Sequence, residues 1–437
     1  MKEYVQIEKY IHDNKNRFSC FSDWGINIDC SAFYPAVEPF YGEGNIPFIR
    51  VQNVKEVIDY NDCVNIPQLP SEQYSTLKKV ESGDIVITKG GSIGFVGYIT
   101  QESYACRDLI FIKSSILSEE QSVFLYLYFS TDFAYKQLIR SSSQCAQPHL
   151  TITLVKNIDI LKVSPMLMKE CAILYSHFRQ KYLASNALYK EAEQLLLKEL
   201  RISELIQTTN SIANKRFSDF VNSGRLDAEY YQPKYDEIIG TISQYPYGHD
   251  KIGNLYILRD KNFLPNDNTR YKYIELSDIG VNGEISGCTY EYGSNLPSRA
   301  RRIVHAGDII ISSIEGSLQS CAIITEEYDG ALCSTGFYVL SPRIINSETS
   351  LVLFKSSAIQ ALLKRACTGT ILTAMNKDEF TAINLPVINK DIQNKIADII
   401  RQSTILRSKS KHLLKIAKTA VETAIEQGEN AAMGLLN

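Results

Sequence analysis

A block written twice in one chain constrains it to fold as two like parts, and here the copies lie far apart. Glu81-Ser82-Gly83-Asp84-Ile85-Val86-Ile87-Thr88 returns as His305-Ala306-Gly307-Asp308-Ile309-Ile310-Ile311-Ser312, 224 residues on. Ile46 to Val51 matches Tyr271 to Leu276 in pattern at 225, and Gly91-Ser92-Ile93 matches Gly316-Ser317-Leu318 at 225. Nearer the start, Arg17-Phe18-Ser19 matches Arg216-Phe217-Ser218 at 199, and Asp29 to Pro35 matches Asp227 to Pro233 at 198. The jump in offset predicts an insertion of about 26 residues in the second copy, between Pro233 and Tyr271. The period is too long for a solenoid and fits two copies of one domain with its connector.

Each copy opens with a β-rich part, roughly 17–160 and 216–388. Its marks are short β-branched and aromatic runs ended by glycine, such as Asp84 to Thr88 before Gly90-Gly91. A shorter helical passage follows, Ser122 to Phe129 and Leu351 to Arg365, and then a long helix. The first long helix starts at Ser164-Pro165, an N-cap with proline at the first helical position, and runs to about Ile212. The second runs from Asn389 to about Gly428. Both show a heptad seam. One seam position of the first helix takes Leu174, Lys181, Leu188, Leu195 and Ile202; the other takes Phe178, Ser185, Ala192, Glu199 and Ile206. The second helix offers Ile392, Ile399, Leu406, Leu413 and Ala420, with Ile396, Ser403, Ser410, Ala417 and Ala424. Helices this long, roughly 60 Å, point to a coiled coil; the alternative is two amphipathic helices, each lying on its own domain. The expected fold is α+β: two β-rich domains joined by two long antiparallel, coiled-coil-like helices with pseudo-two-fold symmetry. The expected boundaries are 1–163 and 214–388 for the domains, 164–213 and 389–428 for the helices, and 429–437 for a tail.

Composition excludes several classes. The chain has 437 residues, 44% hydrophobic and 22% charged, an ordinary core-forming balance. Net charge is −3, which excludes a globally basic coat but not a local basic surface. No stretch approaches the roughly 18 apolar residues of a membrane span, and MKEYVQIEKY is no signal peptide. The ten cysteines form no CxxC pair, against a zinc ribbon, and scattered thiols point to a reducing, cytoplasmic setting. There is no GxxxxGK[ST], GxSxG or HExxH motif, and no Asp/Asn/Ser-Pro-Pro-aromatic run. Gly90 to Gly94 resembles a phosphate loop, but the strand pattern Phe95 to Ile99 after it predicts a hairpin turn. Asp84 to Lys89 lacks the second acidic residue of a metal-nuclease strand, and the six histidines do not cluster. No catalytic residue, metal or cofactor is expected.

Local features favour nucleic-acid contact. Arg299, Arg301 and Arg302 crowd a turn before the second repeated strand, and Lys89 follows the first. Arg50, Gln52, Asn53 and Lys55 follow the Ile46 to Ile49 strand. Ser92, Ser313, Ser317 and Gln319 belong to the two hairpin turns. Gln144, Gln147 and Thr370 lie in polar loops that can bind phosphate or simply turn the chain. Arg and Lys suit phosphates, and Arg, Gln and Asn suit base edges. A solvated charged face is the ordinary alternative for each residue alone. Their clustering around the same strand-turn unit in both copies argues against that.

The order of β-rich domain, long helix, β-rich domain and long helix resembles the specificity (S) subunits of type I restriction–modification systems. So do the blocks GDIVITKGGSIGFVGYI and GDIIISSIEGSLQSCAII and the segment RLDAEYYQPKYDEI. The resemblance spans essentially the whole chain. It implies two target recognition domains, one for each half of a bipartite double-stranded DNA site, with half-site spacing set by the helices. It also implies two methyltransferase (M) subunits docked on the helices, carrying S-adenosylmethionine, and restriction (R) subunits with an ATP-dependent translocase. The chain itself would be non-catalytic and would bind DNA tightly only within the complex. Glu315 stands opposite Gly90 and Gln319 opposite Gly94, so the second turn departs from the family's glycine pattern. Three other readings stay open: a scaffold that does not read DNA, an enzyme with an unrecognised site, and a recognition subunit of another phage-defence system.

Overall fold

The structure, a computed structural model, describes residues 2–141, 149–201, 212, 214–369 and 373–436. It divides into two compact units, Met1–Lys181 with Lys409–Asn437, and Tyr182–Ser408.

The first unit opens with helix α1 (Lys2–Asp13). Eight strands build its two main sheets: β1 (Ile28–Cys30), β2 (Ile46–Ile49), β3 (Val64–Ile66), β4 (Lys79–Val80), β5 (Ile85–Thr88), β6 (Val96–Tyr98), β7 (Ser103–Ala105) and β8 (Leu109–Ile112). They form two four-stranded sheets, ordered β1-β8-β5-β6 and β3-β2-β7-β4. Helices α2 (Glu119–Phe129), α3 (Asp132–Ser141) and α4 (Pro165–Leu200) complete the copy.

The second copy repeats this from α5 (Pro233–Ser243) onwards. Its strands are β9 (Tyr256–Leu258), β10 (Arg270–Ile274), β11 (Thr289–Tyr292), β12 (Ala300–Ile303), β13 (Ile309–Ser312), β14 (Cys321–Ile323), β15 (Leu332–Ser334) and β16 (Phe337–Pro342). The sheets are β9-β16-β13-β14 and β11-β10-β15-β12, the same orders moved on by eight. Helices α6 (Ser347–Lys355), α7 (Ser357–Arg365) and α8 (Lys390–Gln427) follow. The mixed α+β class with two β-rich domains and two long helices is as the sequence predicts.

The repeated strand is central because its side chains are apolar on both faces. Ile309 and Ile311 join the core shared with α6 and α7, while Ile310 joins the core between the sheets. This is the two-residue alternation of a strand buried on both sides. In the first unit Val86 and Phe111 sit between the sheets with Phe48 and Ile49. The preceding turn explains the rest of the Gly-Asp-Ile motif. Gly83 and Gly307 take φ of 96° and 86°, which favours glycine. Asp84 Oδ2 accepts from Glu81 N–H (2.9 Å), and Asp308 Oδ2 accepts from His305 N–H (2.9 Å). Asp84 also pairs with Lys113 (2.5 Å), just past β8, whereas Asp308 pairs with Arg259 (3.3 Å), just past β9.

One expectation is corrected. Arg216 to Ser218 and Asp227 to Pro233 do not repeat Arg17 to Ser19 and Asp29 to Pro35. They form the helix Phe217–Ser223, a 3-10 turn Glu229–Tyr231 and the start of α5. The strand pair Phe18–Cys20 with Asp159–Leu161 recurs as His249–Lys251 with Asn384–Pro386. Ile28 pairs with Ile112 as Leu258 pairs with Leu340, so Asp29 corresponds to Arg259. The offset therefore stays between 224 and 231 from α1 onwards, and no block of about 26 residues is inserted inside the second copy. The extra residues precede α5.

The long helices pack antiparallel within the second unit. Tyr182 lies under the Arg407 guanidinium (4.1 Å to the ring centroid), and Ser185 Oγ meets Ser403 Oγ at 3.0 Å. Positions rise along α4 as they fall along α8. The expected seam is half right. Phe178, Ser185 and Ala192 on α4, and Ile396, Ser403, Ser410, Ala417 and Ala424 on α8, are buried. The other row is shifted by one residue. Tyr175, Tyr189 and Leu196 are buried rather than Leu174, Leu188 and Leu195, and Gln393, Ile400, Arg407, Leu414 and Val421 rather than Ile392, Ile399, Leu406 and Leu413. Aliphatic residues point to the wrong row because rings and an arginine occupy the true one. Ile202 and Ile206 lie outside the described residues. No helix of the described residues is long and apolar enough to cross a membrane.

Candidate nucleic-acid interface

The end of the repeated strand meets two other segments in each unit through the same backbone bonds. Lys89 N–H donates to Asp108 O (2.9 Å), and Lys89 O accepts from Leu150 N–H (3.0 Å). In the second unit Ser313 N–H donates to Gly336 O (2.8 Å), and Ser313 O accepts from Met375 N–H (2.8 Å). Each junction thus joins the hairpin turn, the turn between β7 and β8 or between β15 and β16, and the segment returning from the helices. The frame is repeated but its side chains are not. The first unit offers Lys89, Arg107, Asp108 and His149; the second offers Ser313, Thr335, Gly336 and Ala374. Arg107 and His149 are exposed, and a side chain at Gly90 would meet the His149 ring at 3.1 Å.

The hairpin turns differ for a physical reason. Gly94 has φ 81°, and a side chain there would strike the Tyr135 ring at 3.0 Å. The second unit makes a 3-10 turn, Glu315–Ser317, and Gln319 O accepts from Lys355 Nζ (2.6 Å). Glu315 N–H donates to Thr373 O (3.0 Å), so this turn is clipped to the returning segment.

The other sequence candidates divide by what already holds them. Arg50 follows Ile49, whose carbonyl accepts from Cys106 N–H (2.9 Å) beside the first junction. Its guanidinium lies over the Tyr41 ring (5.7 Å), and its Nε is buried without a hydrogen-bond partner. Gln52, Lys55, Ser92, Arg299 and Gln319 are exposed. Arg301 Nε donates to Ser298 O (3.0 Å), and Arg302 Nε is buried without a partner. Asn53 is a correction: it is buried, accepts from Arg50 N–H (3.0 Å) and donates to Asp62 O (3.1 Å), so it fastens a turn. Asp278 does the same for Glu275 N–H (2.8 Å). The hydroxyls of Ser313 and Ser317 are likewise engaged, with Gly336 O (3.0 Å) and Ser312 Oγ (2.8 Å). Gln144, Gln147 and Thr370 lie outside the described residues. Sequence reasoning did not single out Arg107, Asp108 and Thr335, and met His149 only as the end of the polar loop that holds Gln144 and Gln147. The available signal was a charged pair, Arg107-Asp108, set between two apolar strand patterns.

Residues 30–161 and 252–415, more than half of the chain, match the family model described as type I restriction modification DNA specificity domain. The chain belongs to this family. No curated protein matches it. Among solved structures it is similar to the S subunit of a type I restriction–modification system from M. genitalium, at 12% identity and TM-score 0.42, over 94% of each chain. The HsdS subunit from Thermoanaerobacter tengcongensis is similar at 12% identity and TM-score 0.29, again over 94% of each. A chain from a type I system solved for its complex assembly and conformational transition matches at 12% and TM-score 0.29, over 88% of this chain and 92% of that one. In this specificity-family chain the two matched segments begin at residues 30 and 252, close to β1 and β9.

Proposed function

We propose that each unit reads one half of a bipartite double-stranded DNA target, and that the chain guides catalytic partners without performing chemistry itself. The observation that carries this reading is the repeated junction. One backbone frame presents Lys89, Arg107, Asp108 and His149 in one unit and Ser313, Thr335 and Ala374 in the other. A common frame with different donors and acceptors is what reading two different base sequences requires. Arg50, Gln52, Lys55, Ser92, Arg299, Arg301, Arg302 and Gln319 surround these frames as phosphate or base contacts. The domains are residues 1–163 and 214–388, and the helices between and after them carry two methyltransferase subunits, with restriction subunits added for cleavage in the cytoplasm. The chain's net charge of −3 suits a division of labour in which the partners complete the positive clamp around DNA.

Genome-wide mapping of methylated adenine, with and without the gene, tests this. Loss of one split motif on deletion is the expected result; an unchanged methylome would reject it. Lys89→Ala should weaken binding of the assembled complex to one half-site and lower the slope of affinity against salt by about one. A scaffold that does not read DNA would tolerate that change without effect on either measurement.

A further inference from the structure

Each unit holds one bulky apolar side chain out into solvent on the loop leaving β1 or β9. The loops share a short pattern, Ala32-Phe33-Tyr34-Pro35 after β1 and Asn262-Phe263-Leu264-Pro265 after β9. Both loops are fastened. Ala32 N–H donates to Thr76 O (3.1 Å), Ser31 Oγ donates to Ala105 O (2.7 Å), and Tyr34 OH accepts from Arg107 N–H (3.2 Å). Phe263 N–H donates to Arg301 O (2.7 Å), and its ring meets Tyr271 edge-on with centroids 5.9 Å apart.

Of the two neighbouring apolar side chains, one packs inward in each unit and the other stays out. Phe33 is 79% exposed and Leu264 is 73% exposed. A lone exposed apolar residue is ordinary on a protein surface. These two differ in three respects. The loop recurs in both units, although the exposed residue is the first of its pair in one and the second in the other (Phe33 aligns with Phe263, and Leu264 with Tyr34). Both loops are pinned by hydrogen bonds rather than slack, and the backbone of cationic residues does part of the pinning. Lys78 N–H donates to Ser31 Oγ (3.0 Å) and Arg107 N–H to Tyr34 OH (3.2 Å) on the loop of Phe33. On the loop of Leu264, Arg301 O accepts from Phe263 N–H, and Lys261 stands three residues before Leu264. Cationic residues tied to these loops suit phosphates, and an exposed apolar tip suits the stacked bases those phosphates enclose.

We propose that Phe33 and Leu264 are wedges, each pressed into a base step of its own half-site. This rests on the DNA reading proposed above. Phe33 presents a ring that stacks on a base face, while Leu264 only parts the step.

The test uses the chain assembled with its methyltransferase partners, on the duplex recovered by methylation mapping, with 2-aminopurine placed in turn at each step of both half-sites. Unstacking raises the fluorescence of this base. Binding by the wild-type complex should raise it at one step per half-site. Phe33→Ala should abolish the rise in one half-site and weaken binding about tenfold. Leu264→Ala should act on the other half-site alone, and Phe33→Leu should keep the rise. Both side chains lie outside the core, so the variants keep the fold. Sequence-specific binding with no rise at any step, or a rise that survives both alanine variants, overturns the wedges and leaves DNA reading standing. Failure of the wild-type complex to prefer its mapped duplex overturns both.

Discussion

Asp84 shows what a repeated residue can be for. It accepts from Glu81 N–H, from Ser114 N–H (2.8 Å) and from Ser114 Oγ (3.0 Å), and it holds Lys113, with its own side chain almost wholly buried. Its loss strands several donors and one cation in the fold. Asp84→Ala should cost about 3 kcal/mol, read as an earlier first transition in urea; a shift within error would refute the role. The repetition was legible in the sequence; the positive φ of the glycine before it came only with the structure. That the carboxylate faces inward was not legible, because a conspicuous Asp beside a Lys-bearing turn reads equally well as a site. Asn53 misled in the same way. A second carboxylate gives a pH test. The Arg225 guanidinium, 2.6 Å from Asp227, holds the Asp227 carboxyl below its ordinary value. Folding therefore favours the charged form. The stability this adds is present above the unfolded value near pH 4 and is lost as pH falls through the lower folded value. Hydrogen-exchange protection across residues 224–232, corrected for intrinsic rate, should fall on acidification in the wild type and be already low in Asp227→Asn.

The helices show where pattern reading stops. Their existence follows from the long stretches without internal glycine or proline, and their 225-residue offset from the shared seam. Helix α4, however, ends at Leu200, short of the expected Ile212, and Arg201 there takes a positive φ of 56°. The row of small residues, Ser185, Ala192, Ser403, Ser410 and Ala417, was also legible. The second row was not, since Tyr175, Tyr189 and Arg407 are buried there in place of flanking aliphatic residues. Arg407 is 6% exposed, lies on the Tyr182 ring, donates to Asn186 Oδ1, and has Glu284 Oε1 at 3.9 Å, while its Nη1 has no partner. An ion so poorly compensated adds specificity more than stability. Arg407→Met should leave stability within about 1 kcal/mol of wild type or raise it, whereas Asn186→Ala should cost about 1–3 kcal/mol by stripping a partner from a buried cation. Denaturation of the two variants side by side decides this; equal losses would contradict it.

At the scale of the whole chain, the repeat runs from α1 to α4 and again from α5 to α8, and each unit borrows part of a helix from the other copy's sequence. The first unit includes Lys409–Asn437, and the second includes Tyr182–Leu200. A fragment ending at Leu200 therefore lacks the α8 residues that complete its unit. Because α4 and α8 share seam spacing, a second α4 can stand in. The fragment should be a dimer by sedimentation, and a well-folded monomer would contradict the seam. The closing contacts of the first unit carry a further consequence. Tyr10 OH donates to Ile425 O, Arg17 donates to Ala424 O (2.5 Å), and Ser164 N–H donates to Glu429 Oε2 (3.0 Å). Helix α1 and the end of α8 thus meet inside one unit. Joining the two ends with a short tether and opening the chain between Leu200 and Phe217 should give a reordered gene whose product keeps every pairing of the first unit, read by its hydrogen-exchange protection.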